Sequence, residues 1–154
     1  MLLENLYEVV KMTLGRDDKP WKESEVRLMN PLVLAYMGDA IYDLYIRTYL
    51  INRFDVSVHR LHVMATRFVK ARAQYLTIQR IIVQLSEDEF IIFKRGRNAK
   101  SGTVPKNADV IEYRYATGFE SLLGYLYLCG KDSRLTIILQ MAVCNADEIL
   151  NEIK

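Results

Sequence analysis

The chain has 154 residues, 51% of them hydrophobic and 26% charged, with seven Gly, three Pro and two Cys. One domain spanning residues 1–154 suits that length, and a domain of ~150 residues buries roughly 68–70% of its unfolded surface, enough for a core without disulfides or a structural metal. The apolar content excludes a disordered chain, so few Gly and Pro argue against a turn-dense all-β fold, and a net charge of +2 says nothing by itself about partners.

Helical spacing dominates in chain order. Leu2, Leu6, Val9 and Val10 open an amphipathic helix that Gly15 ends, and Arg16 to Ser24 read as a polar loop. Acids inside MLLENLYEVVKM, and the lack of a basic leader, speak against a secretory signal. Asn30-Pro31 supplies an N-cap followed by Pro at the first helical position, and Leu34, Met37, Ile41, Leu44 and Thr48 then form one stripe to about Leu50. Asn52 to Asp55 form a break. Ser57 caps a long third helix with Leu61, Met64, Phe68, Ala71 and Tyr75 on its apolar face. Ser86 before Glu87-Asp88-Glu89 marks a strong helix start, because acids in a first turn meet the positive end of the dipole; this helix runs to about Asn98. After a loop from Lys100 to Lys106, Asn107 caps another long helix that Gly130 stops, and Ser133 to Ile153 supply the last. The fold class is all-α. The longest uncharged run, Leu135 to Ala146, is shorter than the ~20 residues of a bilayer span, and Cys129 and Cys144 read as two buried small hydrophobes. A cytoplasmic protein with no membrane partner is expected.

Charge is unevenly distributed. Val56 to Ala108 hold ten Lys and Arg against three acids, a net +7, while the remainder carries −5. Such asymmetry suggests a side that faces a polyanion.

Two carboxylates stand where apolar residues belong: Asp39 within LAYMGDAIYDLYI and Glu120 within ATGFESLLGYLYL. Neither has Lys or Arg three or four residues away, and burying either charge unpaired costs several kcal/mol. A divalent cation shared by two helices is one solution, since Mg²⁺ prefers carboxylate oxygens and needs few protein ligands. Partial exposure, or a hydrogen bond from a hydroxyl such as Tyr42 or Thr117, is another. Asp43 sits one turn beyond Asp39, where it either supports the site or pairs with Arg47. His59 and His62 have no third histidine to complete a zinc site.

NPLVLAYMGDAIYDLYIR and GFESLLGYLYL, with FVKARAQ and RGRNAKS between them, resemble the ribonuclease III family over about Asn30 to Gly130, and in particular its short Mini-ribonuclease III branch, which lacks a double-stranded-RNA-binding domain. The resemblance implies the ribonuclease III endonuclease-domain helical fold as a two-fold homodimer that cuts both strands of double-stranded RNA to 5′-phosphate and 3′-hydroxyl ends. It implies Mg²⁺ as cofactor, with Mn²⁺ as an alternative ion, held by Asp39 and Glu120 as catalytic and metal-binding residues; by their positions Asp43 and Thr117 are expected behind them. Larger members carry further acids four residues before Asp39 and three before Glu120; Ala35 and Thr117 stand there in this chain. The short branch further implies a large-subunit (23S) ribosomal RNA precursor as substrate and leaves room for a ribosomal protein as cofactor.

With no appended module, the domain itself has to hold the duplex, and A-form RNA is read mainly through phosphates and 2′-hydroxyls. Arg95, Arg97, Asn98, Lys100 and Ser101 are the expected contacts, joined by Lys106, Lys70 and Arg72. A basic helix end complementing its dipole accounts for Arg95 and Arg97 equally, and a solvated helix face for Lys70 and Arg72. The competing functions are a catalytically silent RNA-binding scaffold on the same fold and, more remotely, a helical DNA-binding protein. Gly38, beside Asp39, implies close backbone packing either in the core or across the two-fold.

Overall fold

The computed structural model describes residue 9, residues 21–100 and residues 102–151. Among these the chain is helical, with no strand: α1 (Glu23–Leu28), α2 (Pro31–Arg53), α3 (Val58–Val69), α4 (Ala71–Ile81), a 3₁₀ turn (Ile82–Gln84), α5 (Glu87–Asn98), α6 (Val110–Leu128), α7 (Asp132–Val143) and α8 (Ala146–Asn151). The expected helix over Leu2 to Gly15 falls, apart from helical Val9, outside the described residues. No helix among those described is long and apolar enough to cross a membrane.

Several boundaries follow local chemistry. The Asn30 side chain accepts the Leu32 N–H at 2.9 Å and Pro31 occupies the first turn, as the sequence predicts. Ser86 and Glu89 exchange hydrogen bonds in a capping box, at 2.9 and 3.2 Å. The acids behind Ser86 also do more than face the dipole. Glu89, nearly fully buried, takes both Nε (2.7 Å) and an η-nitrogen (2.9 Å) of Arg134 on α7, and Asp88 pairs with Arg27 on α1 at 2.7 Å.

Four expectations need correction. The loop expected to run to Ser24 gives way to α1 at Glu23, whose carboxylate accepts from the buried Tyr125 hydroxyl at 2.7 Å and from Lys131 at 3.2 Å. The single helix expected from Ser57 is two. Lys70 takes an extended conformation (ψ 150°), ending α3 and capping α4 at once, although no Gly or Pro marks the spot. Asp109, not Asn107, caps α6, accepting from Ile111 and Glu112 N–H at 2.8 and 3.0 Å. The last helix breaks at Cys144, which is consequently exposed; Cys129 is half-buried, and burial pushes its thiol up to about 11.

α6 is the hub, against which α2, α4 and α5 pack. Residues 121–127 are buried on every side, which is why SLLGYLY shows no polar face. Phe119, Leu122, Leu123 and Leu126 are fully buried, each contributing ~1.5–3 kcal/mol. Two glycines set how closely α2 and α6 approach. A Cβ on Gly38 would overlap the carbonyl oxygen of Glu120, and one on Gly124 would overlap that of Leu34. The pairings run in opposite directions along the two helices, so α2 and α6 cross antiparallel with a notch in each. The packing that Gly38 requires is therefore within the core.

Gly124→Ala forces backbone apart and should lower unfolding free energy by about 3 kcal/mol. Gly130, at φ +66° with open space around it, should lose only about 1–2 kcal/mol as Ala. Urea denaturation of both variants, with unchanged m, checks the order.

Candidate active site

The notched crossing brings the two unexplained carboxylates together. Asp39 follows Gly38 on α2, and Glu120 is the α6 residue whose backbone Gly38 touches. Both line a cleft of about 260 Å³ with Leu32, Ala35, Tyr36, Tyr113 and Thr117. Asp39 sits at the exposed rim and Glu120 is half-buried in the floor. Ala35 and Thr117 add no charge. The Thr117 hydroxyl donates to the Tyr113 carbonyl at 3.0 Å within its own helix, so it is not the group that satisfies Glu120. Nor is Tyr42, whose hydroxyl is buried without a normal hydrogen bond while its ring packs edge-on against Phe119 at 5.2 Å. Asp43 takes the ion-pair alternative, meeting Arg47 Nε at 2.8 Å.

The electrostatics are those of a site short of positive charge. Among the described residues, no Lys or Arg forms an ion pair with Asp39 or Glu120. Burial is the main reason Glu120 is pushed up to about 7; a hydrogen bond from Gln74 pulls the other way, and the Asp39 charge adds to the rise. Asp39 is raised by loss of solvent on its cleft side and by Asp43. Two carboxylates that repel one another in a low-dielectric cleft are the donor set that a hard divalent cation stabilises, so the residues fit Mg²⁺. Among the described residues no group of three or more His, Cys, Asp or Glu is arranged to hold a metal ion, which leaves water or substrate oxygens to complete such an ion's coordination.

Gln74, near the start of α4, has no role in the sequence reading beyond its place in FVKARAQ. Its side chain is buried, and its amide nitrogen donates to Glu120 Oε1 at 3.0 Å and to the Val69 carbonyl at 2.8 Å. The break at Lys70 is what turns it toward the cleft, and a run of continuous helical periodicity hid that break.

The residues expected to contact RNA divide into four groups. Asn98 is exposed as the last residue of α5, Lys100 and Lys106 are exposed beyond it, and Ser101 lies outside the described residues. Arg97 is half-buried, its guanidinium over the rings of Phe93 (5.7 Å) and Tyr115 (5.6 Å), with Nε donating to Asn98 at 3.2 Å. Arg95 departs from its expected outward role. Its guanidinium donates to the carbonyls of Arg27 and of Met29 (3.2 Å for the latter), so it secures the end of α1. Lys70 and Arg72 line a different recess of about 420 Å³ with Arg67 and Arg80. Arg72 pairs there with Glu112, at 2.8 Å, one residue before Tyr113 of the acidic cleft.

Because Glu120 binds its proton more tightly when folded, the metal-free protein should lose stability as pH rises from about 4.5 to about 7, and change little above. Glu120→Gln removes that slope and should stabilise the metal-free protein at pH 8 by on the order of 3 kcal/mol. Thermal or urea unfolding in EDTA across that range measures both effects.

Comparison with known proteins finds relatives over most of the chain. The profile of the Ribonuclease III domain matches residues 32–131. The chain is 49% identical to the Mini-ribonuclease 3 of Clostridium tetani over 134 residues, covering 86% of this chain and 87% of that protein. It is 52% identical to the Mini-ribonuclease 3 of a Thermoanaerobacter species over 115 residues, covering 75% and 81%. A crystal structure of a Fusobacterium nucleatum protein superposes with a TM-score of 0.69 at 34% identity, covering 77% of this chain and 94% of that one. An all-α fold, a paired acidic cleft at the α2–α6 crossing and a match across most of the chain lead to one conclusion: the chain belongs to the ribonuclease III family.

Proposed function

We propose that the chain is an Mg²⁺-dependent endoribonuclease specific for double-stranded RNA, acting in the cytoplasm on a large-subunit (23S) ribosomal RNA precursor, with residues 1–154 forming one catalytic domain. The observation that carries this reading is the cleft shared by Asp39 and Glu120, charged, poor in cations and seated at the crossing of two core helices. The relatives named Mini-ribonuclease 3 support the activity.

Asp39 and Glu120 hold the cation from the rim and the floor of the cleft, and the Gly38 notch fixes their spacing. A divalent cation bound there supplies positive charge that acidifies a water and offsets charge on the phosphoryl oxygen. Water attacks phosphorus and the bond to the 3′ oxygen breaks, leaving a 5′-phosphate and a 3′-hydroxyl. Asn98, Lys100, Ser101 and Lys106, with Arg97 at their base, contact phosphates and 2′-hydroxyls of the duplex, and Lys70 and Arg72 extend that basic surface. Arg95 holds the supporting helix end. Cleavage of both strands needs two such sites at fixed separation, which a two-fold homodimer supplies.

Incubating a structured RNA duplex with the purified protein in Mg²⁺ or EDTA tests the reading. Cutting should require the metal, and Asp39→Asn and Glu120→Gln should each slow it by more than ~100-fold while duplex binding persists. Binding without cutting under every metal condition would favour the silent scaffold instead. Affinity should fall with log salt at roughly −0.7 to −0.9 per phosphate neutralised, and Lys100→Ala should flatten that slope by about one contact.

A further inference from the structure

The polar groups around Glu120 are too sparse for its burial, and one of them is placed at a cost. Gln74 is 1% exposed, and while its amide nitrogen serves two acceptors, its own carbonyl oxygen is buried with no hydrogen-bond partner. The orientation is fixed by its neighbours. The Val69 carbonyl and the Glu120 carboxylate are both acceptors, so only the NH₂ group can face them. An apolar side chain of similar size would fill the space without stranding a carbonyl. A lysine or arginine would satisfy Glu120 more strongly, but it would also cancel the charge that a cation needs. A neutral donor alone fixes one carboxylate oxygen and leaves the charge in place.

We propose that Gln74 is the positioning residue for Glu120: anchored on the Val69 carbonyl at the α3–α4 break, it holds Oε1 so that the other oxygen is free for the shared cation. This rests on the proposed metal-dependent function, and it adds a third helix, α4, to a site otherwise built from α2 and α6. Outer partners of this kind set ligand orientation, and their loss typically weakens metal binding ~10–100-fold.

The test is Mn²⁺ affinity of the RNA-free full chain, followed by electron paramagnetic resonance of the free ion. Gln74→Met keeps the volume and removes both donors. It should weaken Mn²⁺ binding ~10-fold or more, with cleavage recovering toward the parent rate at saturating Mn²⁺. Ile78→Val, a core change one turn along α4, should lower thermal stability without moving the affinity. Should the Met variant fail to fold, Gln74→Asn replaces it: one methylene shorter, it cannot span Val69 and Glu120 together and should show the same weakening. Unchanged Mn²⁺ affinity in a folded Gln74 variant overturns the proposal. Full Mn²⁺ affinity in Glu120→Gln overturns the cation reading itself, and the proposal with it.

Discussion

The structure depends on how closely α2 and α6 can approach. Gly38 against the Glu120 backbone and Gly124 against the Leu34 backbone bring two main chains into contact where side chains would ordinarily separate them. The buried length of α6 organises the core, and the same crossing puts Asp39 and Glu120 into one cleft. Stability and site geometry therefore share a single contact. Whatever widens the crossing, even without touching a carboxylate, alters the space between them.

Among the described residues, Glu89 and Glu23 are matched by cations, and Glu120 in the cleft is not. Glu89, almost as inaccessible as the core, is matched by two nitrogens on one edge of the Arg134 guanidinium, which holds its carboxyl in the charged form despite burial. Glu23 receives Tyr125, Arg27 and Lys131, and its carboxyl is held down at about 2. Glu120 receives only a neutral amide and rises instead. The contrast lies within one molecule and between identical side chains, so it reflects placement rather than chemistry. Paired acids hold helices together, and the one without a cation faces the cleft.

Much of this was legible in the sequence, for identifiable reasons. Asn30-Pro31 and Ser86 ahead of three acids are local signals, written within four residues, and they placed the starts of α2 and α5. Asp39 and Glu120 stood out because polar atoms in apolar helices violate a periodic pattern. What escaped the reading depends on contacts far apart in the chain. Arg95 looked like part of an RNA-facing helix end because nothing nearby reveals that its partners are the carbonyls of Arg27 and Met29. α1 was invisible because its six residues draw on Tyr125, Asp88 and Lys131 for support. The division of the expected third helix was hidden for the opposite reason: the stripe Leu61, Met64, Phe68, Ala71 and Tyr75 runs on unbroken in sequence across Lys70, whereas α4 buries Ala73, Gln74, Thr77 and Ile78 instead.

That turn joins α3 to α4 with no intervening loop, Lys70 belonging to both ends. A hinge without slack transmits rotational phase from one helix to the next. Adding or deleting a single residue near it would spin α4 by ~100° about its axis and carry the Gln74 amide away from the carboxylate it holds. Length variation, tolerated in most connections between helices, would here be felt at the acidic cleft, although the altered position lies outside it.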